Sequence, residues 1–182
     1  TGKGKSFGLD MLVQFSRRNW RSQISYSLAQ SLLRFNDIND NDWISSPYDS
    51  RHQFKTQQHY RLGNWELAAA FVFSSGNLYT PALGLYTIEL LNGNEETFAS
   101  FGTPFSGKLP AYHRLDLSAN YKFKWNDALG EAGISIYNVY NRDNLRNRSY
   151  QLVGEGESMS LQTNDLEMIG FLPSISIRFT WE

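Results

Sequence analysis

Apolar and polar residues alternate with a period of two through much of the chain, which is the pattern of β-strands with one apolar face. In the clearest segment, from Arg114 to Trp125, the apolar positions are Leu115, Leu117, Ala119, Tyr121, Phe123 and Trp125. The same alternation predicts about seven strands in all. They fall at about 7–16, 20–28, 51–62, 65–74, 114–125, 133–136 and 174–181. We therefore expect an all-β, antiparallel fold.

The connections between these strands alternate between short and long. Two of the long ones are polar, at about 34–48 and 141–167, and the third, 75–111, contains a hairpin signal at Asn92-Gly93-Asn94. Outer-membrane barrels sort their connections in this way, with short periplasmic turns and long extracellular loops. The pattern thus favours transmembrane β-strands. The alternation breaks near Tyr137 and Asn138, where we expect a bulge or the end of the apolar band.

Tryptophans mark the ends of the strands that lie next to the short turns. Trp20, Trp65, Trp125 and Trp181 lie there, whereas Trp43 lies in a long loop. With Phe15, Tyr60, Phe123 and Phe179 they would form an aromatic girdle at one membrane interface. Candidates for the opposite girdle are Phe35, Tyr79, Tyr112 and Tyr140.

Composition narrows the class of protein further. The 182 residues include 17 basic and 18 acidic side chains, a balance that argues against a nucleic-acid partner. There is no cysteine, and the longest apolar run, 67–73, is too short for a membrane helix.

The chain opens Thr-Gly-Lys with no initiator Met or signal peptide, and an odd number of antiparallel strands cannot close a barrel. We therefore expect part of a larger protein.

A soluble alternative is a secreted carbohydrate-binding β-sandwich, in which the aromatic side chains form a core. The polar face of the strands suits bulk water and a water-filled lumen equally well. It carries Asp10, Glu66, Arg114, Asp116 and Lys122. Only the sorting of the loops and the placement of the tryptophans favour the barrel.

Five segments resemble the C-terminal strands of TonB-dependent outer-membrane receptors, particularly the SusC-like kind common in Bacteroidota. They are GKSFGLD (4–10), PYDSRH (47–52), LPAYHRLDLS (109–118), SIYNVYNR (135–142) and LPSISIRF (172–179). The resemblance implies that 1–182 is the C-terminal part of a barrel of about 22 strands in the bacterial outer membrane. It implies import of a scarce nutrient, such as a glycan or siderophore, and no enzymatic activity. It also implies partners: lipid, the earlier strands, an N-terminal plug that is absent from this sequence, and a TonB-type energy transducer acting through that plug.

Two features depart from the family pattern. Such barrels commonly end in an outward-facing aromatic residue, but here Glu182 follows the outward-facing Trp181. A further aromatic residue is therefore expected beyond Glu182. Thr56 and Gln58 occupy outward positions where the family usually has Leu or Ile, and polar atoms facing hydrocarbon are costly unless they are paired. Either a surface lipoprotein or other protein covers strand 51–62, or the register of that strand is shifted by one residue.

Charged residues on the polar face are the first candidate site. Lys55, His59, Arg61, Asp116 and Lys122 are predicted to pair with the plug; steering of an anionic ligand is the alternative. Weaker ligand-binding candidates in the loops and at strand ends are Trp43, Arg51, Tyr79, Tyr86 and Arg114.

Two other groups of polar residues do not support a catalytic or a metal site. His52 and His113 with Ser50, Asp49 and Asp116 contain the residue types of a triad, but His113 and Asp116 point to opposite sides of a strand. The segment 37–42 lacks the glycine and glutamate of a calcium loop. We predict no catalytic residue, metal site or cofactor.

Overall fold

The computed structural model describes residues 1–36, 38–154 and 156–181. In these residues the chain is all-β and antiparallel, without an α-helix. The strands are β1 (Gly2–Arg17), β2 (Trp20–Phe35), β3 (Ile44–Ser45), β4 (His52–Leu62), β5 (Trp65–Ser74), β6 (Leu78–Tyr79), β7 (Ala82–Glu89), β8 (Glu95–Phe101), β9 (Gly107–Lys108), β10 (Tyr112–Trp125), β11 (Ala128–Tyr137), β12 (Leu145–Val153), β13 (Ser160–Glu167) and β14 (Leu172–Trp181). Two 3₁₀ turns lie at Asn39–Asn41 and Gly156–Ser158.

Seven long strands form one sheet in the order β1-β2-β4-β5-β10-β11-β14, with short β3 added beside β2. Each long strand pairs with the long strands before and after it along the chain, and the segments that follow β5 and β11 fold into hairpins of their own. The predicted all-β antiparallel fold and its seven strands are therefore confirmed. Among the described residues the sheet is open, since β1 and β14 each leave one edge unpaired.

The register places every predicted apolar position on one side of this sheet. Val13 lies opposite Ile24, Leu117 lies opposite both Ala69 and Ile136, and Ile134 lies opposite Ile175. Directly opposed residues share a face. We call this side the apolar face and the other the polar face.

Two-residue turns join the strands at one end, which we call the short-turn end. They are 18–19, 63–64 and 126–127. The first residue of each has a positive φ: 47° at Arg18, 58° at Gly63 and 51° at Asn126. A positive φ at the first central residue alone is typical of the type II′ hairpin turn, whose twist suits the flanking strands. We call the opposite end the long-loop end.

The long connections are more ordered than the sequence pattern predicts. The hairpin expected near Asn92 is confirmed as β7–β8, but 141–167 also contains a hairpin, β12–β13, which the sequence analysis missed. β6 and β9 pair as well. Near Tyr137 the structure shows the end of β11 rather than a bulge.

Neither face of the long sheet is covered by a second sheet in the described part of the chain. Large apolar side chains on the apolar face stay exposed, including Leu9 at 57% and Ile177 at 67%. The buried apolar residues described are Ile44, Leu109 and Ala128, too few to form a globular core. No helix in the described segments has the length and hydropathy needed to cross a membrane.

Candidate functional site

The apolar face carries a row of aromatic rings at the short-turn end. Trp20 contacts Phe15 with a ring separation of 5.4 Å, and Trp65 contacts Tyr121 at 4.8 Å. Further along the row, Phe179 contacts three rings at 5.9–6.1 Å. These three are Phe123, Trp125 and Trp181. The predicted clustering of aromatics at this end is therefore present in the fold.

The opposite row is not formed as the sequence suggested. Phe35 lies opposite Gly2 and Tyr112 opposite Ser74, which puts both on the polar face. Tyr79 lies in β6, where it packs against Gly107 of β9, and Tyr140 hydrogen-bonds to the His113 ring. These four residues therefore form no ring matching the one at the short-turn end. β2 continues past the predicted end of the strand with its alternation of faces unbroken. Phe35 therefore falls on the polar face.

Thr56 and Gln58 lie on the apolar face, and hydrogen bonds explain how the face tolerates them. The indole Nε1 of Trp20 donates to Gln58 Oε1 at 2.9 Å. Gln58 Nε2 donates to Ser22 Oγ at 2.8 Å and to Thr56 Oγ1 at 2.7 Å. A one-residue register shift is wrong, because Thr56 lies opposite Ile24 and Phe71. Cover by a partner protein over β4 stays a prediction, and this network does not require it.

The polar face brings together the charged residues predicted to face a plug. The register places Lys55, His59, Arg61, Asp116 and Lys122 on this one side. Basic side chains outnumber acidic ones there: Arg21, Lys55, Arg61, Arg114, Lys122, Lys124 and Arg178 against Asp10, Glu66, Asp116 and Glu131. A shallow depression of about 420 Å³, lined by Arg21, His59, Arg61, Glu66 and Asn120 among others, lies near its short-turn end.

Several of these charges are already paired within the sheet. Glu66 Oε1 accepts from Arg61 and from Lys122, each at 2.8 Å. Arg114 binds Asp116 at 2.9 Å, stacks over the Tyr137 ring and donates to the hydroxyls of Tyr112 and Tyr137. These groups link neighbouring strands, and the two carboxylates offset part of the positive charge of Arg61, Lys122 and Arg114.

Arg21 and Lys55 differ from that group, because neither has an ion-pair partner among the described residues. Arg21 lies opposite His59, and Lys55 lies opposite Ser25 and Val72. Guanidinium and ammonium groups of this kind bind carboxylates and phosphates. The β2–β4 part of the polar face therefore offers positive charge to an acidic partner surface or an anionic solute.

The five weaker ligand-binding candidates do not converge. Trp43 packs under Lys5, Arg51 pairs with Asp49 at 3.4 Å, and Tyr86 stacks on Phe98. Tyr79 lies under Arg148, and Arg114 is held on the polar face as described. They occupy separate places, so a shared ligand would have to reach across the long-loop end; their role in binding stays a prediction.

The residue types of a triad are present but are used for other contacts. The Nδ1 atoms of His52 and His113 bond to the hydroxyls of Tyr26 and Tyr140, each at 2.8 Å. Ser50 Oγ bonds to Ser74 Oγ at 2.6 Å. The described residues contain no group of three metal-ligating side chains, and Asp37 of the acidic loop lies outside them, as does Glu182.

A salt bridge that sequence analysis missed joins the strands of the β12–β13 hairpin. Arg148 Nε and Nη2 each lie 2.7 Å from an oxygen of Asp165. This hydrogen bonding lowers the pKa of the Asp165 carboxyl and raises that of the Arg148 guanidinium. Arg148 also contacts the Tyr79 ring, and Asn77 donates to Arg146 O at 3.0 Å, so two long connections pack together.

Comparison with protein-family models, curated proteins and solved structures found no match in any of the three.

Proposed function

We propose that this chain is a segment of the wall of a TonB-dependent outer-membrane transporter, which imports a scarce nutrient with energy delivered from the inner membrane. The observation that carries the proposal is the uncovered apolar face. It extends over seven strands, is bounded at the short-turn end by a row of aromatic rings, and is backed by a charged polar face. Hydrocarbon on one side and water on the other is the environment that suits such a sheet.

The unpaired edges of β1 and β14 support membership in a larger barrel. Exposed backbone N–H and C=O groups along a long edge promote pairing with another strand, and in lipid they must be satisfied. Earlier strands of the same protein would pair with both edges and close the wall. An N-terminal plug would then fill the lumen and contact the polar face.

Cations of the polar face that have no ion-pair partner among the described residues suit this arrangement. Arg21 and Lys55 would pair with acidic groups of the plug, since charges enclosed in a lumen need partners. A nutrient carrying carboxylates or phosphates would use the same charges in passing.

Cysteine replacement tests which face meets lipid, because this chain has no native cysteine. Leu117→Cys and Ser118→Cys, made in the full-length membrane-embedded protein, place a fluorescent label on the apolar and polar faces respectively. Lipids carrying a quencher should quench the label at 117 and aqueous iodide the label at 118. Equal quenching of both by iodide would overturn the proposal.

Extraction behaviour separates the proposal from the secreted carbohydrate-binding sandwich. A barrel protein needs detergent for extraction from outer membranes and migrates differently on a gel before and after heating. A sandwich dissolves without detergent and shows no such change. The absence of a covering sheet among the described residues favours the barrel.

A further inference from the structure

Three basic residues lie together on the apolar side of the sheet at its long-loop end, far from the aromatic row. Lys3 and Arg34 are directly opposite each other in the β1–β2 pair, and Lys5 lies two pairs further in, on the same face and opposite Leu32. All three are exposed. We call them the outer basic cluster.

The position of this cluster matches the far boundary of a membrane. Phe15 and Lys5 lie on the same strand and the same face, about 33 Å apart at about 3.3 Å per residue. With a strand tilt of about 40°, that is about 25 Å along the membrane normal, the height of the apolar band in such barrels. The aromatic row would therefore lie at one interface and the outer basic cluster at the other.

Trp43 fixes one of the cations in place. Lys5 Nζ lies 4.2 Å from the centre of the Trp43 ring. Trp43 immediately precedes β3, which pairs with β2 at Leu32 and Leu33, so the loop is tied beside the cluster. An ammonium over an indole keeps further N–H donors for a second partner.

No carboxylate among the described residues forms an ion pair with any of the three cations. Like charges directly opposite each other, as at Lys3 and Arg34, destabilise a strand pair. An anion between them would remove that repulsion. At this depth the available anions are the phosphates of lipid headgroups, which attract lysine and arginine at a membrane surface.

We propose that the outer basic cluster binds the phosphate of an anionic lipid headgroup, with Trp43 holding Lys5 in position. This inference rests on the proposed function, because it requires the apolar face to lie in a bilayer. It adds a lipid-binding site that the transport function itself does not require.

The test is a lipid titration of the full-length protein in detergent, with bound phosphatidylglycerol counted by native mass spectrometry at low salt. The variant Lys3→Gln/Lys5→Gln/Arg34→Gln should weaken binding by about tenfold or more, since each basic residue near an anionic surface contributes a several-fold change. The control, Lys124→Gln/Arg178→Gln, removes basic residues from the polar face, which meets no lipid under the proposed function, and should keep wild-type affinity.

Three outcomes would overturn the inference: equal affinity in the triple variant and wild type, equal loss in the control, or full displacement of the lipid by inorganic phosphate at matched concentration. The last would indicate a general anion site. Heat-dependent gel migration of wild type and variant is measured in parallel. If the wild type needs no detergent, the proposed function fails; if it is membrane-bound and the triple variant keeps its lipid, only this inference fails.

Discussion

The indole of Trp20 donates a hydrogen bond to the side chain of Gln58 across the β2–β4 pair, at 2.9 Å, on the face that is otherwise apolar. Gln58 in turn donates to Ser22 and Thr56. Four polar groups therefore satisfy one another on the face that meets lipid under the proposed function.

Replacement of Gln58 by Leu should destabilise the protein if this face meets lipid. The indole N–H of Trp20 would lose its partner, and an unsatisfied polar group away from water costs about 1–3 kcal/mol. Denaturant unfolding in lipid vesicles measures the change in the free energy of unfolding. The matched variant Ser22→Ala/Thr56→Val/Gln58→Leu with Trp20→Phe removes every member and should recover much of the loss. A change for Gln58→Leu within about 0.5 kcal/mol would instead be typical of a water-exposed surface.

The sequence predicts the faces of the strands well but not the contacts between strands that are distant along the chain. Two-residue turns fix the register of β4 on β5 and of β10 on β11, so period-two alternation suffices there. β2 and β4 are joined through a long loop, and their register decides that Gln58 meets Trp20. No local pattern carries that information.

The β12–β13 hairpin shows a second limit of sequence analysis. Its strands carry polar residues on both faces, including Arg148 and Asp165, so no apolar stripe marks them. The polar-face candidates, by contrast, were predictable because Lys55, His59 and Arg61 follow the strand period. Their ion-pair partners, such as Glu66 for Lys122, depend on tertiary pairing.

Among the polar residues at the end of β11, Asn138 should reduce the stability of the protein most when it is replaced. It is fully buried, its φ is 52°, and its side chain bonds to both N and O of Arg142. We expect Asn138→Gly to lower the free energy of unfolding by about 2 kcal/mol, because these hydrogen bonds are lost. Asn138→Ala should lower the free energy of unfolding by about 1 kcal/mol more than Asn138→Gly, because alanine tolerates positive φ poorly. Thermal unfolding with calorimetry measures both.

Asn126→Gly provides the control for this prediction. Asn126 has a similar φ of 51° but is exposed in a short turn. Its replacement should change stability little. Equal effects at positions 126 and 138 would show that backbone conformation, rather than the buried hydrogen bonds, sets the cost.

The Arg148–Asp165 pair should make the β12–β13 hairpin sensitive to acid. Because the pair lowers the pKa of Asp165 in the folded state, its stabilising effect is complete above the ordinary aspartate pKa and disappears as the pH falls through the lowered value. NMR titration of the Asp165 carboxyl carbon should show a midpoint below that of an unpaired aspartate. In Arg148→Gln the midpoint should rise towards the ordinary value, and an unchanged midpoint would contradict the assignment.

Gly130 should tolerate a side chain poorly, because a Cβ there would overlap the ring of Phe123, which lies directly opposite across the β10–β11 pair. The Phe123 ring is also held edge-on against Phe179. Gly130→Ala should therefore displace Phe123 and cost about 1–3 kcal/mol, the usual range for overpacking. Gly84→Ala is the control, since nothing lies within 4 Å of a Cβ at Gly84. Tryptophan fluorescence and thermal unfolding measure both variants. The double variant Gly130→Ala/Phe123→Ala should lose less stability than the sum of the two single losses, because the smaller side chain at 123 removes the overlap. Strict additivity of the two losses would show that Gly130 is required for another reason.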